Sequence, residues 1–347
     1  MRDRRKLKRV FAGNREFAAR DPRALRYHGA YGLIAAWPTS HWDFFLELHA
    51  KLETTALAAG KDSHEGRDAA REVLTFDDLR PYLLLKNGNY LYKVPFRGGW
   101  AVLKVYYGSR SALSNIFKSL ENLLLAGQTS YMPRTRLRIE RECLELWRDA
   151  GFRVFRHYPE VKVCAPGCPE GGYMLFEYLS RVKLNDYLRD EQIPVDERFA
   201  TYRRWLPVWS RRHDLAIERR EPRLVHENGD GKHVMILENG EFLWFDFEMV
   251  YRRPSRTAEC VSHEIIQYIW NIRKSLPEAL RERFMEETVG GYPRRDRLLK
   301  AYEFFYRHPN VFHRVGRALD RRLRARAQKA GSKYRVALEL KEKLSCR

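Results

Sequence analysis

Lys104 lies inside the apolar run Trp100-Ala101-Val102-Leu103-Lys104-Val105-Tyr106, and Asp246 closes another, Phe242-Leu243-Trp244-Phe245. A lysine flanked by apolar residues on a strand needs an anionic partner, because burying an unpaired ammonium is very costly. A carboxylate at a buried strand end needs a cation or hydrogen-bond donors. Between the two runs, Val225-His226 is followed by the polar loop Glu227-Asn228-Gly229-Asp230-Gly231-Lys232-His233 and then by Val234-Met235-Ile236. An ammonium can hold phosphate oxygens. An aspartate is a hard oxygen ligand suited to magnesium, and a histidine such as His233 is a poorer one. The set suits the handling of phosphate together with a hard cation.

The elements around these residues must bring them together. Leu83-Leu84-Leu85 and Tyr90-Leu91-Tyr92-Lys93-Val94 flank Asn87-Gly88-Asn89, which reads as a tight hairpin. The partner for Lys104 is expected on the amphipathic helix Arg136 to Trp147, which ends near Gly151. Glu140 sits four residues before Leu144 and seven before Trp147, so it shares their inward face. Glu142 points elsewhere. Gly172 to Leu179 reads as a strand running through Glu177 into a hinge, Leu184 to Leu188 opens a helix, and Trp205 to Ile217 forms the helix before the histidine loop.

Hairpin, lysine strand, glutamate helix, hinge, histidine loop and aspartate strand resemble, in that order, the parts of kinase-like phosphotransferases. Residues from about 76 to 275 resemble the bacterial lipopolysaccharide core kinases, the Kdo and heptose kinases of the kinase-like superfamily. Two details favour that branch. His233, seven residues after His226, stands where the branch commonly carries His rather than Asn. Only Gly88 lies in the first hairpin, and the branch lacks a full glycine-rich signature. The resemblance implies a two-lobed α+β protein-kinase-like fold using ATP and Mg2+. Lys104 would hold the nucleotide phosphates and Glu140 would hold Lys104, with Glu177 at the hinge joining the cofactor-binding set. His226 would brace the loop, His233 would lie near the second metal, and Asp246 would bind magnesium.

Asn228 departs from the family's Asp. An amide cannot take the acceptor hydroxyl's proton, and a placed general base contributes about 10²–10⁴-fold. Phosphoryl transfer depends mostly on positioning and charge stabilisation, so the loss need not abolish it. Glu227 and Asp230 are close enough to substitute. Gly229 and Gly231 give Asp230 freedom to turn toward the cleft, so Asp230 is the expected base, against the alternative of a plain Gly-Asp-Gly turn. Two functions stay open. One is ATP-dependent phosphorylation of a sugar hydroxyl on a cell-envelope glycolipid; the other is a nucleotide-binding pseudokinase with a regulatory or scaffolding role.

The chain has 65 Lys and Arg against 45 Asp and Glu, a net charge of +20. That surplus implies an anionic partner, here an anionic glycolipid acceptor and peripheral contact with an anionic membrane. Nucleic acid is not expected, because zinc-finger spacing, basic-zipper heptads and a single-strand-binding aromatic signature are all missing. At 44% hydrophobic and 13% aromatic, the 347 residues exclude a disordered chain. Five cysteines fit a reducing compartment rather than a disulfide framework. Cys164-Ala165-Pro166-Gly167-Cys168 reads as a turn, since a zinc site normally needs four ligands. No stretch approaches the roughly 20 apolar residues of a membrane span, and Met1 to Phe11 is basic without an apolar core. The expected location is the cytoplasm, peripheral on the inner face of the inner membrane.

Three divisions follow. Residues 1–72 form a basic, mainly helical extension with an aromatic stretch, His41 to Leu48, and a linker, Lys61 to Asp68. Residues 73–176 form an N-lobe with a five-stranded antiparallel sheet. Residues 177–347 form a helical C-lobe ending in a basic helix, Val315 to Arg326, suited either to an anionic membrane or to packing of its leucines. The insertion Ser111 to Leu125 places Leu113, Ile116, Phe117, Leu120, Leu123 and Leu124 on one helical face, for packing on the upper lobe or for docking a lipid.

Overall fold

The computed structural model describes residues 72–86, 88–107, 112–123, 127–306 and 332–345. The N-terminal extension with its linker, the basic segment Val315 to Arg326, Asn87 and the ends of the insertion (Ser111, Leu124, Leu125) lie outside the described residues. The first part of the fold runs β1 (Val73–Thr75), β2 (Leu83–Lys86), β3 (Tyr90–Phe96), β4 (Gly99–Val105), α1 (Ala112–Glu121), α2 (Pro133–Asp149), β5 (Arg153–Val154), β6 (Lys162–Cys164) and β7 (Tyr173–Glu177).

The upper sheet is antiparallel in the order β2-β3-β4-β7, with four strands rather than the expected five. Residues 156–158 run along the free edge of β7. Tyr158 N–H donates to Leu175 O at 2.9 Å and Glu177 N–H to Arg156 O at 3.0 Å, but only His157 and Phe176 form a bridge. Pro159 follows at once and has no N–H to extend the ladder. The chain leaves into β6, which pairs in parallel with β1 as a separate two-stranded sheet. The β3–β4 hairpin turns on Arg97 and Gly98, with φ of 47° and 72°, the two positive values a type I′ turn requires. The expected pairing of β2 with β3 is present, Lys86 facing Tyr90, with Gly88 at φ 79°.

Strand alternation decides which side chains face the cleft. Ala101, Leu103 and Val105 of β4 enter a small upper core with Val94, Val163 and Leu175. Lys104 and Tyr106 take the opposite face, where Met174 and Phe176 of β7 join the larger core with Leu137, Leu144 and Trp147 of α2. The same sheet therefore seals one side with aliphatics and presents a lysine on the other.

The lower part comprises α3 (Leu184–Arg189), α4 (Val195–Glu218), β8 (Val234–Ile236), β9 (Phe242–Trp244), α5 (Thr257–Ser275), α6 (Glu278–Gly291), α7 (Arg295–Tyr306) and α8 (Lys333–Ser345). Trp205 and Trp209 of α4 stack with centroids 4.6 Å apart, and Tyr268 of α5 packs on both. Val336, Ala337 and Leu340 of α8 are buried in the same core. Strand β9 lies between β5 and β8, and all three of its residues are buried, which explains its unbroken apolar run. No helix among the described residues is long and apolar enough to cross a membrane. An antiparallel sheet with a buried lysine, set above a helical core that carries the histidine loop, gives the α+β architecture expected of a kinase-like fold.

Candidate active site

Lys104 Nζ donates to Glu140 Oε2 at 2.6 Å, and its side chain is 8% exposed. Glu140 reaches it because α2 buries Glu140, Cys143, Leu144 and Trp147 along one stripe. Tyr106 O–H donates to the same Glu140 oxygen at 2.5 Å. Asp246 Oδ1 lies 3.2 Å from the ammonium and Glu248 Oε1 2.7 Å. Burial opposes the charge on Lys104, but Glu140 and Glu248 outweigh it and hold the ammonium pKa well above its ordinary value. Burial pushes Glu140 up to about 7 against the pull of Lys104, with Glu248 and Asp246 adding repulsion. Three carboxylates converge on one lysine, leaving the cluster rich in negative charge.

Strand β9 delivers Asp246 one residue past Phe245, with φ at 74°, a conformation rare for a non-glycine residue. The carboxyl is 37% exposed and opens outward. Its own burial is outweighed by Lys104, and the pKa sits well below the usual carboxylate range. His233 Nε2 is 3.5 Å from Asp246 Oδ2. The other ring nitrogen, Nδ1, lies 3.0 Å from the carbonyl of Asn228, which can only accept, so Nδ1 carries the proton. Burial lowers the His233 pKa despite Asp246, so the ring is neutral at pH 7 and Nε2 presents a lone pair. A lone pair and a carboxylate oxygen facing each other at this separation fit a cation between them. Among the described residues no group of three or more His, Cys, Asp or Glu could hold a metal alone. A magnesium ion held here would share its shell with phosphate oxygens and water.

His226 braces the loop. Nε2–H donates to Phe245 O at 2.9 Å, and the ring stacks on His233 with centroids 5.2 Å apart. Burial, then the neighbouring His233, lowers its pKa to about 4. The loop backbone is pinned from α5: Glu264 Oε2 accepts the His226 N–H at 2.9 Å and pairs with Arg212 of α4, both side chains being wholly buried. Arg212 also donates to Leu224 O at 2.6 Å. Nothing in the local spacing of the sequence pointed to this pair, whose members lie 52 residues apart.

The carboxylates beside Asn228 are placed differently from each other. Asp230 Oδ1 accepts from Asn185 Nδ2 at 2.8 Å and from Lys232 N–H at 3.1 Å, so it caps the turn 231–233. The flanking glycines are not there to free it. Neither has positive φ; a Cβ on Gly229 would lie 2.7 Å from a Tyr268 ring carbon, and one on Gly231 would overlap Asn185 Oδ1. Close packing requires them. Glu227 instead accepts from Gln128 Nε2 at 2.8 Å, and burial raises its pKa against that bond, with Asp246 among the charges it feels. Glu177 stands at the end of β7, where its carboxylate accepts the Arg156 N–H at 2.8 Å. It lies beside the strand edge, three ladder positions from Lys104's partner Met174.

Sequence reasoning missed Arg136 and Glu248. Arg136, 1% exposed, donates to Glu248 Oε2 at 2.8 Å, Asn89 Oδ1 at 2.7 Å, Gly88 O at 3.2 Å and Tyr106 O at 3.0 Å. Asn89 Nδ2 also donates to Glu248. Arg136 precedes Glu140 by four residues on the same face of α2, a signal that a second buried cation, and hence another carboxylate, belonged here. A recess of about 320 Å3 lined by Ile139, Arg220, Glu221, Arg223, Val250 and Arg252 lies elsewhere, and neither Lys104 nor Asp246 lines it.

No protein-family model and no curated protein sequence matches the chain. Among solved structures it is similar to WaaP in complex with acyl carrier protein, at 12% identity and a TM-score of 0.30 over 62% of this chain and 82% of that one. It is also similar to the Rio2 kinase-ADP/Mg2+-phosphoaspartate complex from Chaetomium thermophilum, at 12% identity and a TM-score of 0.34 over 85% of this chain and 75% of that one. Likenesses this distant carry no argument about chemistry, and the reading of the site rests on the chain's own residues.

Proposed function

We propose that the chain binds ATP with magnesium between β4 and the end of β9 and transfers a phosphoryl group to a hydroxyl. The observation that carries this reading is His233 Nε2 at 3.5 Å from the Asp246 carboxylate, beside the Lys104 ammonium. Magnesium, when bound, supplies positive charge to the phosphate oxygens. Lys104, steadied by Glu140, holds phosphate oxygens, and Asp246 with His233 holds the metal. Asn228 cannot take the acceptor proton. Of the two nearby carboxylates, Glu227 suits the base role better, since burial raises its proton affinity while Asp230 is committed to capping its turn.

The acceptor in this reading is an anionic, hydroxylated glycolipid of the cell envelope, supported by the resemblance above and by the net charge of +20. Incubation with γ-labelled ATP, magnesium and purified core glycolipid should label the glycolipid, and Lys104→Ala should abolish the label. Unlabelled glycolipid would rule out this acceptor class. Asn228 and the Glu248 contacts favour a second reading, a pseudokinase that binds nucleotide to hold a shape. Tight ATP binding without transfer to any hydroxylated acceptor would select it.

A further inference from the structure

Glu248 occupies two buried cations of the cleft, one of them the lysine proposed to hold phosphate. One carboxylate oxygen is 2.7 Å from Lys104 Nζ and the other 2.8 Å from Arg136. Asn89, in the hairpin above, donates to the first oxygen as well. An ammonium, a guanidinium and an amide converging on two oxygens of one group is the donor set that recognises a phosphate. We propose that Glu248 is an internal competitor for this site: its carboxylate occupies the phosphate-binding cations and must be displaced before a polyphosphate can be held. The inference rests on the nucleotide-binding reading for its natural ligand and names the residue that sets that ligand's affinity.

Charge and connectivity both support displacement rather than joint binding. Lys104 and Arg136 already face Glu140, Glu248 and Asp246, so an added polyphosphate meets a surplus of negative charge while Glu248 stays. Departure of Glu248 orphans neither cation. Lys104 keeps Glu140 and Asp246, and Arg136 keeps Asn89 Oδ1, Gly88 O and Tyr106 O. The side chain is 13% exposed, and residues 245–250 belong to no helix or strand, so the segment can move without breaking a regular element. Apparent affinity falls by the fraction of molecules competent to bind, so holding about nine-tenths of the population closed weakens the ligand about tenfold.

The test is titration calorimetry on the full chain with two probes, ATP with magnesium and magnesium-free inorganic tripolyphosphate. The proteins are the parent, Glu248→Gln, Glu248→Ala and the double variant Lys104→Ala/Glu248→Gln, with circular dichroism to confirm folding. Glu248→Gln is nearly isosteric and keeps a hydrogen-bonding group, so it serves should the alanine variant unfold. The expected result is at least about tenfold tighter binding of both probes to Glu248→Gln, with the gain lost in the double variant. Equal or weaker binding by Glu248→Gln than by the parent overturns the inference and leaves the nucleotide reading standing. Tightening of tripolyphosphate without any ATP binding supports the anion competition and sinks the nucleotide reading instead. Failure of every folded variant to bind either probe overturns both.

Discussion

Replacing Lys104 with methionine should expose how much negative charge the cleft stores. The Lys104 side chain is 8% exposed, and its ammonium lies within 3.2 Å of Glu140, Glu248 and Asp246. Removing one partner from a buried ion pair costs about 3–5 kcal/mol, because the charge left behind is uncompensated. Arg136 still neutralises Glu248, so the burden falls on Glu140, buried with only the Tyr106 hydroxyl beside it. The parent's Glu140 already titrates near 7, up from 4.5. Without Lys104 it holds its proton to higher pH still. An acid whose folded pKa exceeds its unfolded value loses stability as pH rises toward the folded pKa, so the variant suffers most in alkaline buffer. Above pH 7 the variant therefore binds up to one proton more than the parent, so its deficit should grow with pH by up to about 1.4 kcal/mol per unit and level off below pH 7. Urea unfolding of both proteins, followed by tryptophan fluorescence at pH 7, 8 and 9, reads this directly. A deficit under about 1 kcal/mol at pH 9, or one independent of pH, would refute the charge cluster.

Three further outcomes are expected. Gly231→Ala should destabilise the fold by about 1–3 kcal/mol in thermal or urea melts, because the new methyl overlaps Asn185, the residue holding Asp230. His213 and His226 are buried and neutral, each lowered by burial to about 4 from 6.5, so the unfolded chain takes up protons the fold refuses. Their contribution is fully present above pH 6.5 and is lost as pH falls toward 4, up to about 3 kcal/mol each, and urea midpoints should drop across that window. With a competent acceptor, Glu227→Gln should lower turnover by about 10²–10⁴-fold, while Asp230→Ala should mainly cost about 1 kcal/mol of stability as a lost cap. Equal turnover by Glu227→Gln and the parent would remove Glu227 from the base role.

The parts of the site legible in the sequence were those fixed by local periodicity. Period-two alternation put Lys104 opposite Leu103 and Val105, helical spacing put Glu140 with Leu144 and Trp147, and a buried three-residue strand ended two residues before Asp246. Contacts that depend on distant segments meeting were not legible. Glu248 finds Arg136 across 112 residues and Gln128 finds Glu227 across 99, and no local pattern encodes either meeting. The loop glycines show a subtler limit. Gly229 and Gly231 look like sources of freedom in sequence, but in the fold they are spaces kept clear for Tyr268 and Asn185. The upper sheet stopped at four strands because Pro159 ends the fifth after one bridge. That proline was visible in the sequence, though its effect depends on which edge the segment reaches.

The proposed nucleotide–magnesium site is built on Lys104, Asp246 and His233. Titration calorimetry of ATP with magnesium against the parent, Lys104→Ala and Asp246→Asn tests it most directly. Lys104→Ala removes a charged hydrogen-bond partner of the phosphates, worth about 1.5–3 kcal/mol, Asp246→Asn removes a charged ligand of the metal, and each should weaken binding about tenfold or more. Omitting magnesium should weaken the parent while leaving Asp246→Asn little changed. Binding of equal strength by all three proteins, or none by the folded parent, would contradict the account.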